Sequence, residues 1–230
     1  MKDRKKEIKT SYSILGSGFS GIYDSMVTYS SLPGRVMNRM IWGFNKDTNA
    51  EWIREALSPV PSGFHGSLLE VPVGTGVITM PLYCRLPDAR ITCLDYSEDM
   101  MKNASERAET MGIRNISFVQ GDAGNLPFED EAFDIVLSLN GFHAFPDKEA
   151  AYQETYRVLK KGGIFCGCFY VEGQMKRTDF VCRHLFVPKG SFTPPFETAL
   201  SLKRRLENMY GTVRFRTIHS EGIFCCRKEG

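Results

Sequence analysis

The 230-residue sequence has no apolar run of the roughly 18 residues that a membrane-spanning helix needs. Its first nine residues are mostly charged and lack the apolar core of a secretory signal peptide. Lysine and arginine total 29 against 27 aspartate and glutamate residues, so the net charge of +2 gives no reason to expect a polyanionic partner. These absences predict a soluble, cytoplasmic protein without stable membrane insertion and without a nucleic-acid partner.

Cysteine is present, but not in the spacing of a redox or zinc site. The seven cysteines are odd in number, and none forms a Cys-x-x-Cys pair. Most of them lie inside apolar, strand-like runs, which favours reduced thiols acting as small hydrophobic side chains. The four histidines are scattered along the chain. No metal site is therefore predicted.

Short apolar runs alternate with helical patterns from residue 67 onward. The runs cover residues 67–71, 90–95, 115–119, 133–139 and 163–171 and are bounded by Gly, Pro, Asn or Asp. Ser97 and Asp147 are N-cap candidates for two intervening helices, which are expected to stop at Gly112 and at Gly162 and Gly163. This alternation predicts an α/β fold with a mostly parallel sheet and helices on both faces.

The two ends of the chain follow other patterns. Residues 19–57 carry helical apolar spacing and precede a Pro- and Gly-containing linker, so we predict an N-terminal helical cap over residues 1–62 and a core over residues 63–230. Residues 197–210 predict a helix. Residues 212–219 and 222–227 predict an antiparallel C-terminal hairpin at the sheet edge, joined by a link at residues 220–222. Residues 172–196 lack a clear period and are interpreted as a lid.

The most informative stretch is Leu-Leu-Glu-Val-Pro-Val-Gly-Thr-Gly at residues 68–76, an apolar strand followed by an acid and a tight glycine turn. Gly74 and Gly76 tolerate positive φ and let a ligand approach the backbone closely. Asp95 ends the next strand, and an acid about 20 residues after such a turn suits a ribose diol. The pattern predicts a nucleotide-like cofactor.

A nicotinamide dinucleotide is the main rival cofactor. It would require a third glycine in the pattern Gly-x-Gly-x-x-Gly, but Val-Ile-Thr follows Gly76. The Gly121-Asp122-Ala123 element after the third strand also has no strong counterpart in dinucleotide sites. Both observations disfavour the dinucleotide.

The order of the motifs resembles class I S-adenosylmethionine-dependent methyltransferases. These motifs are the acid and glycine turn, the acid after the second strand, Gly-Asp-Ala after the third, and Arg-Val-Leu-Lys-Lys-Gly-Gly before the fifth. Residues 125–134 and 156–163 are similar to the ubiquinone/menaquinone-biosynthesis type. The resemblance covers roughly residues 65–172. It implies a Rossmann-like, seven-stranded sheet, S-adenosylmethionine as the cofactor and S-adenosylhomocysteine as its product.

The resemblance implies a role for each residue of the site. The glycine turn would hold the methionine part of the cofactor, Glu70 its ammonium and Asp95 both ribose hydroxyls. Asp122 would accept from the adenine amino group while the Ala123 N–H donates to the ring, and Tyr96 and Met100 would flank the adenine. The complete set of predicted cofactor contacts is Tyr23, Glu70, Val71, Pro72, Gly74, Thr75, Gly76, Asp95, Tyr96, Met100, Gly121, Asp122, Ala123, Leu139, Asn140 and His143.

Each assignment has a structural alternative. The glycines could form only a turn, Asp95 could cap the following helix, and Asp122 could be an ordinary turn residue. Pro72 replaces a glycine that the family usually has, and proline removes an N–H and fixes φ near about −65°. A catalytically inactive S-adenosylmethionine-binding sensor or interaction protein therefore stays as the alternative to a methyltransferase.

Methyl transfer from a sulfonium requires alignment of donor and acceptor and, where the acceptor carries a proton, its removal. His143 follows the fourth strand and titrates near neutral pH, so it is the predicted general base, and the alternative is that it only packs. Tyr23 and Tyr29 could close over the methionine end or belong to an amphipathic core. The lid residues Arg183, His184 and Phe186 are candidate substrate contacts.

Two signatures of nucleic-acid methylation are absent. The fourth strand is followed by Asn140-Gly-Phe-His rather than Asn-Pro-Pro-Tyr, and the sequence contains no Pro-Cys pair. The acceptor is therefore expected to be a small molecule, methylated on oxygen, nitrogen or carbon. Aromatic residues in the cap and the lid favour an apolar or ring-bearing acceptor. The chain is expected to act as a monomer or homodimer.

Overall fold

The computed structural model describes residues 20–230, and the part of the predicted cap before residue 20 lies outside that range. The described part of the cap consists of three helices, α1 at Ser20–Val27, α2 at Leu32–Ile41 and α3 at Lys46–Leu57. Ser31 caps α2, and Asn45 forms a capping box with Thr48 at the start of α3. Within residues 20–230, no helix combines the length and the apolarity needed to cross a bilayer.

The core is a seven-stranded sheet with the order β3-β2-β1-β4-β5-β7-β6. The strands are β1 at Ser67–Glu70, β2 at Arg90–Asp95, β3 at Ile116–Gln120, β4 at Phe133–Leu139, β5 at Leu159–Tyr170, β6 at Thr212–Ile218 and β7 at Glu221–Arg227. The first five run parallel, whereas β7 is antiparallel to both β5 and β6. The predicted mostly parallel sheet with an antiparallel C-terminal hairpin is confirmed.

The remaining helices are α4 at Met80–Tyr83, α5 at Glu98–Thr110, α6 at Lys148–Val158, α7 at Lys176–Val181 and α8 at Ala199–Met209, and a π-helical turn at Cys182–Phe186 continues α7. The predicted caps are confirmed because Ser97 Oγ accepts from Met100 N at 3.3 Å and Asp147 Oδ1 accepts from Ala150 N at 2.9 Å. Gly112 follows α5 with a φ of 70°, as expected of a helix stop.

Two predicted boundaries are wrong. The helix α6 does not run to Gly162, because β5 already starts at the buried Leu159, which pairs with Phe133. The Lys228 ammonium also donates to the Leu159 carbonyl at 2.7 Å, so tertiary pairing overrides the local helix signal. At the hairpin, Glu221 is not in the link between the strands but is the first residue of β7.

Buried side chains fill both faces of the sheet. One face packs against the N-terminal helices, α4 and α5, and the other against α6 and α8. On the second face, Phe142 is fully buried, with its ring centroid 4.3 Å from Tyr152 and 5.4 Å from Phe169. Packing on both faces leaves the ends of the strands as the place where a ligand can enter.

The predicted lid at residues 172–196 packs between the cap and the loop after β4. Thr178 Oγ1 donates to the Ile41 carbonyl at 2.6 Å, and Arg177 Nη2 donates to the Arg39 carbonyl at 2.9 Å. At its other end, Thr193 N donates to the His143 carbonyl at 2.9 Å. The segment thus joins α2 to the loop after β4, and its function as a lid stays a prediction.

Candidate functional site

The carboxyl ends of four parallel strands meet at one crevice. The strand order reverses between β1 and β4, and ligands of open α/β sheets bind beside such a point. Val71 N donates to the Leu137 carbonyl at 2.9 Å, and Val73 N donates to the Leu94 carbonyl at 3.0 Å. Gly121 N donates to the Asp95 carbonyl at 3.0 Å. These bonds bring the predicted motifs of β1 to β4 together.

The glycine turn has the backbone that only glycine adopts easily. Gly74 and Gly76 have φ values of 55° and 68°. A Cβ on Gly76 would lie 2.7 Å from Met80 Cε, whereas a Cβ on Gly74 would meet no atom within 4 Å. The first glycine therefore borders open space, and a Cβ at the second would require the Met80 side chain on α4 to shift.

Asp95 is 6% exposed, and both of its carboxylate oxygens face backbone donors. Oδ2 accepts from Gly74 N at 2.8 Å, and Oδ1 accepts from Ser97 N at 2.9 Å. Burial raises the pKa of Asp95 to about 6, although these hydrogen bonds oppose the rise. Each carboxylate oxygen retains a further acceptor position, which suits the two hydroxyls of a ribose. Ser97, not Asp95, caps α5.

Asp122 adopts the turn of its structural alternative, and its contact with adenine stays a prediction. Its Oδ1 accepts from Gly124 N at 3.0 Å and its carbonyl accepts from Asn125 N at 2.9 Å, so it is a turn residue. The same turn lies beside the end of β2, and the neighbouring Ala123 is 6% exposed. Tyr96 and Met100 flank the end of β2, and Tyr96 is 37% exposed. The structure thus groups the residues predicted to surround the adenine.

Glu70 is more deeply buried than a side chain in direct contact with a cofactor needs to be. It is 1% exposed, and its Oε2 accepts from the Tyr83 hydroxyl at 2.8 Å and from Cys93 Sγ at 3.6 Å. Burial raises the pKa of Glu70 to about 8. A contact with the cofactor's ammonium would require the ionised carboxylate, which burial disfavours, so that role stays a prediction.

One functional group was missed because no sequence pattern marks it. Asp24 on α1 accepts from Thr75 Oγ1 at 2.6 Å and from Arg107 Nη2 at 2.7 Å. Arg107 Nε also donates to the Thr75 carbonyl at 3.2 Å. We call these three residues the turn clasp. It fastens α1 and α5 to the glycine turn, and Asp24 alone in a helical segment gave no signal of it.

The loop after β4 carries a buried polar atom without a hydrogen-bond partner among residues 20–230. Asn140 has a φ of 55°, and its N donates to the Cys168 carbonyl at 2.7 Å. Its Oδ1 is that buried atom. Tyr23 lies beside this amide, while Leu139 is 8% exposed at the strand end. An orphaned buried acceptor fits a ligand with an amino group, as S-adenosylmethionine has.

His143 is buried at 7% exposure and packs against aromatic rings. Its ring stacks on Phe192 with centroids 3.9 Å apart, and Nδ1 accepts from Tyr170 N at 3.3 Å. Burial, assisted by the charge of Lys148, lowers the pKa of His143 to about 3. This arrangement favours the packing alternative, and the role of general base stays a prediction.

The other candidate residues are dispersed. Arg183 Nη2 donates to Glu172 Oε2 at 2.8 Å, and the exposed His184 stacks on Phe180 with centroids 4.2 Å apart. Phe186 lies 5.1 Å from Phe192 and so joins the rings around His143. Tyr29 is half-buried, and the Arg35 guanidinium lies over its ring. All seven cysteines are free, and residues 20–230 contain no group of three His, Cys, Asp or Glu side chains suited to a metal.

Residues 68–163 match a family model described as a methyltransferase domain. A demethylmenaquinone methyltransferase of Thermus thermophilus is 35% identical over 128 residues, which are 56% of this chain and 56% of that protein. A ubiquinone/menaquinone biosynthesis C-methyltransferase of Bartonella henselae is 37% identical over 145 residues, 62% of this chain and 51% of that protein. A Haemonchus contortus phosphoethanolamine N-methyltransferase 2, solved with S-adenosylhomocysteine, aligns with a TM-score of 0.72 and 13% identity, over 97% of this chain and 60% of that chain.

Residues 68–163 are therefore similar to a methyltransferase domain, and the predicted resemblance to S-adenosylmethionine-dependent methyltransferases of the ubiquinone/menaquinone type is confirmed. The methyltransferase match agrees with the predicted cofactor S-adenosylmethionine, and the solved structure supports the Rossmann-like fold. The chain spans about half the length of the curated relatives it matches. Neither curated relative supports the catalytically inactive alternative.

Proposed function

We propose that this protein transfers a methyl group from S-adenosylmethionine to a small-molecule acceptor of the hydroquinone type. The observation that carries the proposal is the buried Asp95 carboxylate hydrogen-bonded to the positive-φ glycine turn, inside the region that is similar to a methyltransferase domain. Gly74, Thr75 and Gly76 would hold the methionine part, Asp95 the ribose and the turn at Asp122 the adenine. The bound cofactor supplies a methyl group on a positively charged sulfur, which is already an activated leaving group.

The acceptor class is inferred from the rings beyond the loop after β4 together with the names of the relatives. Phe192 stacks on His143 and lies 5.7 Å from Tyr170 and 6.4 Å from Trp42 between ring centroids. Such a wall suits a flat, largely apolar ring. The two curated relatives are named for demethylmenaquinone and for ubiquinone/menaquinone biosynthesis. A quinone ring carbon is electron-poor, so the reduced hydroquinone is the form able to attack a methyl group.

In this proposal the chain mainly orients the acceptor and excludes water. His143 presents a neutral ring that packs beside the acceptor, and its action as a base would require a pKa far above the value of about 3 that burial gives it. Whether His143 removes a proton from the acceptor is therefore tested by mutation. A His143→Gln variant that keeps most of its kcat would support packing, whereas a loss of kcat without a change in KM would support the base.

The test uses 1,4-naphthohydroquinone, kept reduced with dithiothreitol, and S-adenosylmethionine. We expect S-adenosylhomocysteine and a methylated naphthohydroquinone in equal amounts by mass spectrometry. Phosphoethanolamine serves as the amine control and is expected to remain unmethylated. Cofactor binding without methylation of any ring-bearing acceptor would contradict the proposed activity and favour the inactive alternative. A cytoplasmic location, a monomeric or homodimeric state and the absence of a nucleic-acid partner remain part of the proposal.

A further inference from the structure

Glu221 stands at the ligand edge of the sheet although it belongs to the C-terminal hairpin. It is the first residue of β7 and pairs with Tyr170, the last residue of β5. Because β7 is antiparallel to β5, its beginning lies at the carboxyl end of the parallel strands. Asp95 and the glycine turn lie at the other side of the crevice, on β1 and β2. Glu221 is therefore separated from Asp95 and the glycine turn by β4 and β5.

The carboxyl group of Glu221 is buried without the partners that such a group needs. Glu221 is 3% exposed, and its Oε2 has no hydrogen-bond partner within residues 20–230. The comparison with Glu70 is direct, since that equally buried carboxyl accepts from the Tyr83 hydroxyl. An unsatisfied buried carboxyl destabilises the fold. Such an exception in a native protein requires an explanation.

Polar groups from three parts of the chain lie near this carboxyl. The Tyr23 hydroxyl of α1 and the thiols of Cys168 in β5 and Cys182 after α7 lie close enough for the ionised form of Glu221 to raise their pKa values. The same Cys168 thiol lies beside the indole of Trp52 on α3 and the backbone of Asn140 after β4. The cap, the lid and the sheet thus converge on one polar spot inside an apolar region, next to the strand end that follows β4.

We propose that Glu221 recognises the methyl acceptor by hydrogen bonding to a ring hydroxyl, and this inference rests on the proposed function. Its carboxyl can donate one hydrogen bond and accept another, which matches a phenolic hydroxyl. Burial raises the pKa of Glu221 to about 8, so the group is largely neutral at pH 7 and able to donate. A hydroxyl that completes these bonds is favoured over an analogue that lacks it, because the analogue leaves the carboxyl unpaired.

The test compares Glu221→Gln and Glu221→Leu with the matched control Ser220→Ala, which removes a neighbouring buried hydroxyl that also has no partner among the described residues. We expect Glu221→Leu to raise the KM for 1,4-naphthohydroquinone by about tenfold or more, since each tenfold step equals about 1.4 kcal/mol. Glu221→Gln, which still donates and accepts, restores part of the loss. The Kd for S-adenosylhomocysteine stays within about twofold in all three variants.

Two further readouts do not depend on turnover. Glu221→Leu should raise the thermal midpoint of the ligand-free protein, because an unsatisfied carboxyl is removed. In the presence of S-adenosylhomocysteine, 1,4-naphthohydroquinone should stabilise the native protein but not Glu221→Leu. If the native protein binds 1,4-naphthohydroquinone without methylating it, the proposed activity is wrong. The role of Glu221 is still decided by comparing the stabilisation of the native protein with that of Glu221→Leu. Equal stabilisation of both proteins, equal KM values, or no binding to the native protein would overturn the inference.

Discussion

The turn clasp allows a prediction with a defined magnitude. Asp24→Ala removes the acceptor for Thr75 Oγ1 at 2.6 Å and the ion pair with Arg107 at 2.7 Å. The hydrogen bond is worth about 1 kcal/mol. The ion pair adds at most about 1 kcal/mol, because the Asp24 and Arg107 side chains are 20% and 34% exposed and solvent screens them. Docking of α1 on the glycine turn should therefore weaken by about 2 kcal/mol, or roughly 30-fold.

Hydrogen exchange of the α1 amides measures this change directly. We expect protection to fall about 30-fold in Asp24→Ala and by a smaller factor in Asp24→Asn, which keeps an acceptor for Thr75. The Kd for S-adenosylhomocysteine should rise by less than the loss of protection, since only the undocked fraction of the protein binds more weakly. Glu51→Ala is the matched control, because it breaks an exposed ion pair between α3 and Arg216 of β6. Unchanged α1 protection in Asp24→Ala would refute the role of the clasp.

Three further outcomes are expected. The raised pKa of Glu70 means that the folded state holds a proton which the unfolded state has lost, so the unfolding free energy should fall between about pH 4.5 and 8. Glu70→Gln should flatten that slope by up to about 1.4 kcal/mol per pH unit in urea titrations, and an unchanged slope would contradict the assignment. Phe142→Ala should lower the free energy of unfolding by about 3–5 kcal/mol in urea titrations. A decrease below about 1 kcal/mol would contradict the place of Phe142 in the core. Gly141→Ala should destabilise the protein because its Cβ would lie 2.4 Å from Pro72 Cδ, and Pro72→Gly should relieve part of that loss in a double-mutant cycle.

The sheet could be predicted because its signals are local. The strands at residues 90–95 and 133–139 are apolar runs bounded by breakers, and their observed bounds agree with the prediction. The helix starts at Ser97 and Asp147 depend on a capping side chain, which is also a local feature. The boundary between α6 and β5 could not be predicted, because Leu159 leaves the helix to pair with Phe133 far away in sequence.

The candidate site was predictable where it follows the strand ends and not where it depends on tertiary contacts. The glycine turn, Asp95 and the turn at Asp122 lie at successive strand ends, and the topology brings them together. Asp24 lies 51 residues before the threonine that it contacts, so no spacing rule connects them. The sequence predicts that Glu221 lies in a polar link between two strands. In the structure Glu221 pairs with Tyr170 and is buried, which no local pattern indicates.

Calorimetry of S-adenosylhomocysteine binding to the native protein, to Asp95→Ala/Asp122→Ala and to the control Asp88→Ala tests whether the crevice binds the cofactor. Asp88 is an exposed acid in the turn before β2, so its removal should leave the Kd unchanged. We expect the native protein and Asp88→Ala to bind S-adenosylhomocysteine with the same Kd and the double variant to show no binding. Micromolar binding by the folded double variant would contradict the assignment of the crevice as the cofactor site.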